Sequence, residues 1–272
     1  MLTFLFKLLG IKHNVMNNRI VAYLLKKQEA NRHLVNYEPH NELQKQYIQF
    51  LPDKYAANLK LYQTQQNFFD YKDISKWTSG FYENNAGDLA RFFGLNLCID
   101  QLLEEGITGD IAELGVFKGN SAFLLAKFAR LINSQCYLFD TFEGFDDRDF
   151  EGNAETRFKQ DFSGTSLNSV KELVGTDNTV YVQGFFPNSL QQINELEGLS
   201  LVHIDCDLGA PFKAALEYFY PRLKKGGFLI MHDYSSLFWP SAKEAIDEYF
   251  KDKPEFVIPI PDKSGSCIIR KV

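Results

Sequence analysis

The sequence predicts an α/β fold: a doubly wound, mostly parallel sheet that ends in a C-terminal antiparallel hairpin and follows an N-terminal helical appendage. Two observations carry this. Between Asp110 and Met231, five short apolar runs alternate with stretches of helical periodicity. The runs are continuously apolar rather than alternating, as strands covered on both faces require. With 272 residues, 45% hydrophobic and 24% charged, the chain can bury a large core, which excludes disordered, collagenous and coiled-coil classes.

Up to about Lys76 the chain is rich in Gln, Asn, Lys and Tyr without strand-like alternation, so residues 1–80 form the appendage and 81–272 the main domain. The first 35 residues hold six basic groups and one acidic group, a net of +5 against −11 for the remainder. With Leu2, Phe4, Leu5, Phe6, Leu8 and Leu9 this segment suits a helix docked on the body or on a second copy in a homo-oligomer. The alternative is peripheral contact with the inner face of an anionic membrane.

Asp88 is a fitting N-cap for a helix carrying Leu89, Phe92, Phe93, Leu97, Leu102 and Leu103, with Gly106 as its stop. Strands follow at Asp110–Leu114, Cys136–Phe139, Thr179–Val182, Leu199–Ile204 and Phe228–Met231. Helices fall at Asn120–Leu131, near Phe212–Leu223, and around Ala242–Phe250. Phe256–Ile260 and Ser266–Arg270, joined through Pro261 and Gly265, form the closing hairpin.

The net charge of −6 gives no general attraction to polyphosphate, so no nucleic-acid partner is expected. Cys98, Cys136, Cys206 and Cys267 lack metal-ligand or C-x-x-C spacing, which suits a reducing, cytoplasmic compartment. No run approaches the ~20 apolar residues of a membrane span, and Met1–Leu9 is broken by Lys7 and lacks a cleavage site.

In a doubly wound sheet, ligands bind beyond the carboxyl ends of the strands. After the first run stands Glu113-Leu-Gly115-Val-Phe-Lys-Gly119-Asn-Ser121, whose glycines permit a tight turn and close ligand approach to a helix N-terminus. Its G-x-x-x-G spacing argues against a nicotinamide-dinucleotide fingerprint, and no G-K-[ST] marks a P-loop. The second strand ends at Asp140, followed by Thr141 and Phe142, placing a carboxylate where nucleotide sites hold ribose hydroxyls. The third ends at Gln183-Gly184.

Glu113, Gly115, Gly119 and Asp140 together resemble the S-adenosylmethionine (SAM) site of Rossmann-like methyltransferases. More narrowly, GDIAELGVFKGNS at 109–121, DTFEGF at 140–145, HIDCDL at 203–208, YPRLKKGGFLIMHDY at 220–234 and AIDEYF at 245–250 resemble the macrocin O-methyltransferase family. The similarity spans about residues 80–272. It implies a SAM-dependent O-methyltransferase of a sugar hydroxyl on a glycan, glycolipid or glycosylated metabolite. Glu113, Gly115, Gly119, Ser121, Asp140, Thr141, Phe142, Gln183 and Gly184 are then the cofactor-binding residues.

The resemblance also implies a divalent metal, Mg2+ first and Mn2+ or another ion as alternatives, held by acids after the fourth and fifth strands. Here those places hold Asp205 and the pair His232-Asp233, where the family's usual Asp-Asp-Tyr reads His232-Asp233-Tyr234. Imidazole is a poorer partner for Mg2+, so His232 is either a ligand or a general base. Asp205 is ligand and proton acceptor, with Asp207 the weaker alternative. His203, inside an apolar strand, is expected to be a core histidine rather than a ligand. Trp77–Glu83 forms either a lid or a packing surface. Two other functions stay open: a non-catalytic SAM- or nucleotide-binding scaffold, and, less favoured, an NAD-dependent oxidoreductase.

Overall fold

The computed structural model describes Pro52, Tyr55 and residues 68–80, 88–150 and 162–272. The basic segment 1–35 lies outside the described residues. The chain divides into two compact units, Met1–Gln65 and Gln66–Val272, and the second carries every element below. A short helix α1 (Tyr71–Ser75), running into a π-turn at Lys76–Gly80, leads to α2 (Leu89–Glu105). There follow β1 (Asp110–Leu114), α3 (Ala122–Ile132), β2 (Cys136–Asp140), α4 (Leu167–Val174), β3 (Thr179–Gln183) and β4 (Leu199–Ile204). The chain ends with α5 (Gly209–Phe219), β5 (Leu223–Met231), α6 (Pro240–Phe250), β6 (Ile258–Pro259) and β7 (Cys267–Arg270).

The seven strands form one sheet in the order β3-β2-β1-β4-β5-β7-β6. The first five are mutually parallel, and β7 runs antiparallel to both β5 and β6, as the predicted hairpin requires. All of β4 is buried, and β1 is buried after Asp110, which explains why both runs are mostly apolar. Registers Leu114↔Phe139, Leu114↔Ile204, Ile204↔Met231 and Asp140↔Gln183 align the strand ends. Gly115, Thr141, Gly184, Asp205 and His232 therefore emerge along one edge.

The Asp88 side chain accepts the Arg91 N–H at 3.1 Å, and Gly106 closes α2 in the left-handed region with φ 66°. Ahead of α2, the stretch 68–80 packs rather than stands apart. Phe68 N–H donates to Asp100 at 2.7 Å, Lys127 pairs with Asp73, and the fully buried Trp77 lies 5.4 Å from the Phe92 ring. For the described residues of Trp77–Glu83 this is packing; burying one such aromatic contributes about 2–3 kcal/mol.

Two elements differ from the sequence pattern. The helix predicted to reach Leu223 stops at Phe219, because Pro221 has no N–H to donate to the carbonyl four residues back, and Tyr220–Arg222 tightens into a 3-10 turn. Helix α4 is an element the sequence pattern did not mark; it is eight residues long, with Val170 and Val174 buried on it. Ser166 caps it by accepting the Ser169 N–H.

Candidate active site

The aligned strand ends open into a cavity of about 520 Å3. Its β1–β3 side is lined by Gly115, Asp140, Thr141 and Gly184, and its β4–β5 side by Arg91, Asp205, Asp207, His232 and Asp233. The β1 turn is possible only with glycine: Gly115 has φ +87°, and a Cβ there would stand 1.9 Å from the Asp205 carbonyl oxygen. Four non-glycine residues of this edge also adopt left-handed backbone: Phe117, Phe142, Asp207 and Asp233, with φ of 48°, 57°, 61° and 62°. Such strain of about 1–3 kcal/mol each persists where surrounding structure enforces it and concentrates at functional sites.

Asp140 draws the β1 and β2 turns together. Its Oδ2 accepts the N–H groups of Val116 and Phe117 at 2.6 and 2.9 Å, and its Oδ1 that of Phe142 at 2.6 Å. Burial pushes its carboxyl pKa up, and those three donors act in the opposite direction. Thr141 Oγ donates to the Gly144 carbonyl, closing the β2 turn.

The other residues predicted to bind the cofactor lie outside the cavity lining. Glu113 is fully buried, accepting the Ser121 hydroxyl and pairing with His203 Nδ1 at 2.8 Å. Ser121 therefore starts α3 without capping it through its side chain. Gly119, with φ +87°, lies where a Cβ would press on Val170 and Val174 of α4. Phe142 packs beside Tyr181, and Gln183 donates to the Thr141 carbonyl at 3.2 Å. These residues shape the turns from behind.

At the β4–β5 side Asp205, His232 and Asp233 come together, each offering an atom within 4.8 Å of the others. His232 Nδ1 lies 2.9 Å from Asp205 Oδ1 and 3.0 Å from Asp233 Oδ2, while Asp205 Oδ2 accepts from the buried Arg91 guanidinium. Arg91 Nη2 is also 3.4 Å from His203 Nε2. His203 is fully buried, a core histidine as expected. Burial opposes the ionisation of Asp205, but Arg91 and His232 outweigh it and hold the carboxyl well below its ordinary pKa. Burial and Arg91 press the His232 pKa down, whereas Asp205 and Asp233 carry it up to about 10. Burial, then Asp233 and Asp205, push the Asp207 carboxyl well above its usual value.

Two carboxylates and an imidazole at that separation are a donor set of the kind that takes a divalent ion. In this arrangement they do not fit one. Both Asp205 oxygens are engaged, and an imidazole nitrogen facing two carboxylate oxygens donates a proton and offers no lone pair.

Arg91 was not among the residues singled out from the sequence. Its signal was a charged side chain on the apolar face of α2, beside Phe92 and Leu95, where charge is rarely buried without a partner. Trp239, which lines the cavity and packs against Phe145, carried no comparable signal.

A parallel sheet of this order, with a glycine turn after β1, an acid ending β2 and a charged cluster beyond β4 and β5, defines a Rossmann-like methyltransferase. The family model described as Macrocin-O-methyltransferase (TylF) matches residues 17–267, and the chain belongs to that family. The match begins well before residue 80, so the family resemblance extends into the N-terminal segment. The chain is 27% identical over 176 residues to mycinamicin III 3''-O-methyltransferase of Micromonospora griseorubida, covering 59% of this chain and 68% of that protein. It is 25% identical over 174 residues to 8-demethyl-8-(2,3-dimethoxy-alpha-L-rhamnosyl)-tetracenomycin-C 4'-O-methyltransferase of Streptomyces olivaceus, covering 59% of this chain and 65% of that protein. Among solved structures the O-methyltransferase NovP superposes with a TM-score of 0.59 at 21% identity, covering 67% of this chain and 80% of NovP. CalS11, a calicheamicin methyltransferase, gives 0.54 at 20% identity over 84% of this chain and 89% of CalS11. The chain is an O-methyltransferase. Among the described residues no helix is long and apolar enough to cross a membrane.

Proposed function

We propose that this chain transfers a methyl group from SAM to a sugar hydroxyl of a glycosylated metabolite, glycan or glycolipid. The observation that carries this is a cavity lined by Gly115, Asp140 and Gly184 on one side and by Asp205 and His232 on the other. The name of the Streptomyces olivaceus relative gives a rhamnosyl-bearing compound as its substrate, which supports a sugar acceptor.

When bound, SAM supplies an electrophilic methyl group; the acceptor oxygen forms the new C–O bond and the C–S bonding pair returns to sulfur. On the β1–β3 side, Asp140 keeps one acceptor position for a ribose hydroxyl beside its three backbone donors, and the turn after Gly115 brings backbone close to the ligand. On the β4–β5 side, Asp205 is about one-fifth exposed to the cavity and held ionised. Its carboxylate orients the acceptor hydroxyl and accepts its proton as the C–O bond forms. Phe145, Phe162 and Trp239 wall the cavity with aromatic faces that exclude water and give the sugar ring an apolar surface. Holding oxygen and methyl in line supplies a large part of the rate.

Isothermal titration of SAM should give tight binding to the wild-type chain and at least ~tenfold weaker binding to Asp140→Ala, since bonds to a charged acceptor contribute about 1.5–3 kcal/mol. Methyl-labelled SAM offered with a panel of deoxyhexose and hexose glycosides should label at least one of them. Equal SAM affinity in Asp140→Ala would reject the cofactor assignment.

A further inference from the structure

The position a divalent ion would need beyond β4 and β5 already carries positive charge from the chain itself. Arg91 arrives from α2, its side chain only 7% exposed, and its guanidinium is permanently charged. It ends a buried line of polar contacts running from Ser121 through Glu113 and His203. Every link in that line is made by residues of α2, β1, β4 and the start of α3. Arg91 is thus built into the domain and is no loose surface side chain that has swung into a gap. Its Nε has no hydrogen-bond partner among the described residues, so Asp205 is the carboxylate that compensates this buried charge. An ion that recruited Asp205 would strand the guanidinium, which is strongly unfavourable.

Resting on the methyltransferase reading above, we propose that Arg91 is the resident cation of this site. It takes the place of a divalent ion at Asp205, so that methyl transfer here needs no bound metal. His232 completes the arrangement, for where the family's usual first aspartate would offer oxygens, the imidazole Nδ1 donates to Asp205 and Asp233. Arg91 is a positioning residue. It fixes the Asp205 carboxylate, and that carboxylate meets the acceptor hydroxyl.

The experiment is calorimetric titration of Mn2+ alone into the full chain and into two variants, His232→Asp and Arg91→Gln/His232→Asp. SAM titrations run in parallel on the same samples. Wild type should show no Mn2+ binding below the millimolar range. Each variant should raise Mn2+ affinity by at least ~tenfold, because His232→Asp exchanges a group that donates to Asp205 for a carboxylate that offers oxygens, and Arg91→Gln removes the guanidinium charge beside it. Should the double variant fail to fold, His232→Asp alone still decides the matter. Submillimolar, stoichiometric Mn2+ binding to wild type overturns the inference, as does His232→Asp without any gain. Wild-type chain that neither takes up SAM nor Mn2+ would sink the methyltransferase reading and leave the charge argument standing.

Discussion

Replacing Gly115 by alanine is the sharpest single perturbation this edge offers. An added Cβ would stand 1.9 Å from the Asp205 carbonyl oxygen and 2.5 Å from its carbonyl carbon. Real Cβ contacts are not found under 3.0 Å, so the end of β4 must recede by about 1 Å. A φ of +87° adds about 1 kcal/mol for any residue with a Cβ. Overpacking against backbone adds about 1–3 kcal/mol, giving a loss of about 2–4 kcal/mol from a typical total of about 5–15 kcal/mol. The displaced atoms belong to Asp205, whose carboxylate is held between Arg91 and His232. A shift of that size should therefore lower methyl transfer by about 10²-fold as well. Urea unfolding measures the first effect, and turnover with saturating SAM measures the second. Wild-type midpoint and turnover in Gly115→Ala would refute the close approach of β1 and β4 on which the site's geometry rests.

Two further outcomes follow from the same contacts. Glu113→Ala leaves His203 Nδ1 and the Ser121 hydroxyl, both buried, without their acceptor. Urea denaturation should then show a loss of about 2–4 kcal/mol at unchanged m-value, and a loss below ~0.5 kcal/mol would mean the pairing is not formed. The His232 pKa is raised to about 10, above its unfolded value near ~6.5, so its contribution to stability is complete below pH ~6.5 and disappears as pH rises through about 10. Thermal midpoints of wild type and His232→Gln should accordingly converge between pH ~7 and about 10, and a gap independent of pH would contradict the ion pairs.

Much of the α/β layout could be read directly because two-faced burial leaves strong marks. β4 is buried at all six positions, and its sequence run is apolar throughout apart from Ser200 and His203. Asp88 and Gly106 bounded α2 because caps are local chemistry. Helix α4 is only eight residues long, so the helical spacing of Leu167, Val170, Leu173 and Val174 spans barely two turns and gives a weak signal. At the candidate site, Asp140 was legible from its place at a strand end, and Asp205, His232 and Asp233 from the family resemblance. Their partners were not, since Arg91 lies 114 positions from Asp205 and no local pattern reports so distant a pairing. Glu113 stood in the expected place, yet its neighbours Ser121 and His203 turn it inward, and only the packed structure reveals that.

The same contacts explain why the two ends of the cavity answer to one another. The Ser121–Glu113–His203–Arg91–Asp205 line starts at the β1–α3 turn and ends at the carboxylate beyond β4. Asp140 ties that turn to β2 through Val116 and Phe117, and Gly115 presses it against Asp205 from the other side. Beyond Asp205 the chain reverses through left-handed Asp207, and beyond His232 through left-handed Asp233. Aspartate tolerates that conformation better than most residues, so carboxylates stand at both reversals with less strain than other side chains would meet. Asp205 and Asp233 draw in the Arg91 guanidinium and the His232 N–H, so the acidic cluster is balanced by groups of the chain itself. An acid-rich domain thereby keeps an ionised carboxylate at an aromatic-walled cavity, as the proposed activation of a neutral hydroxyl beside a cationic methyl donor would require.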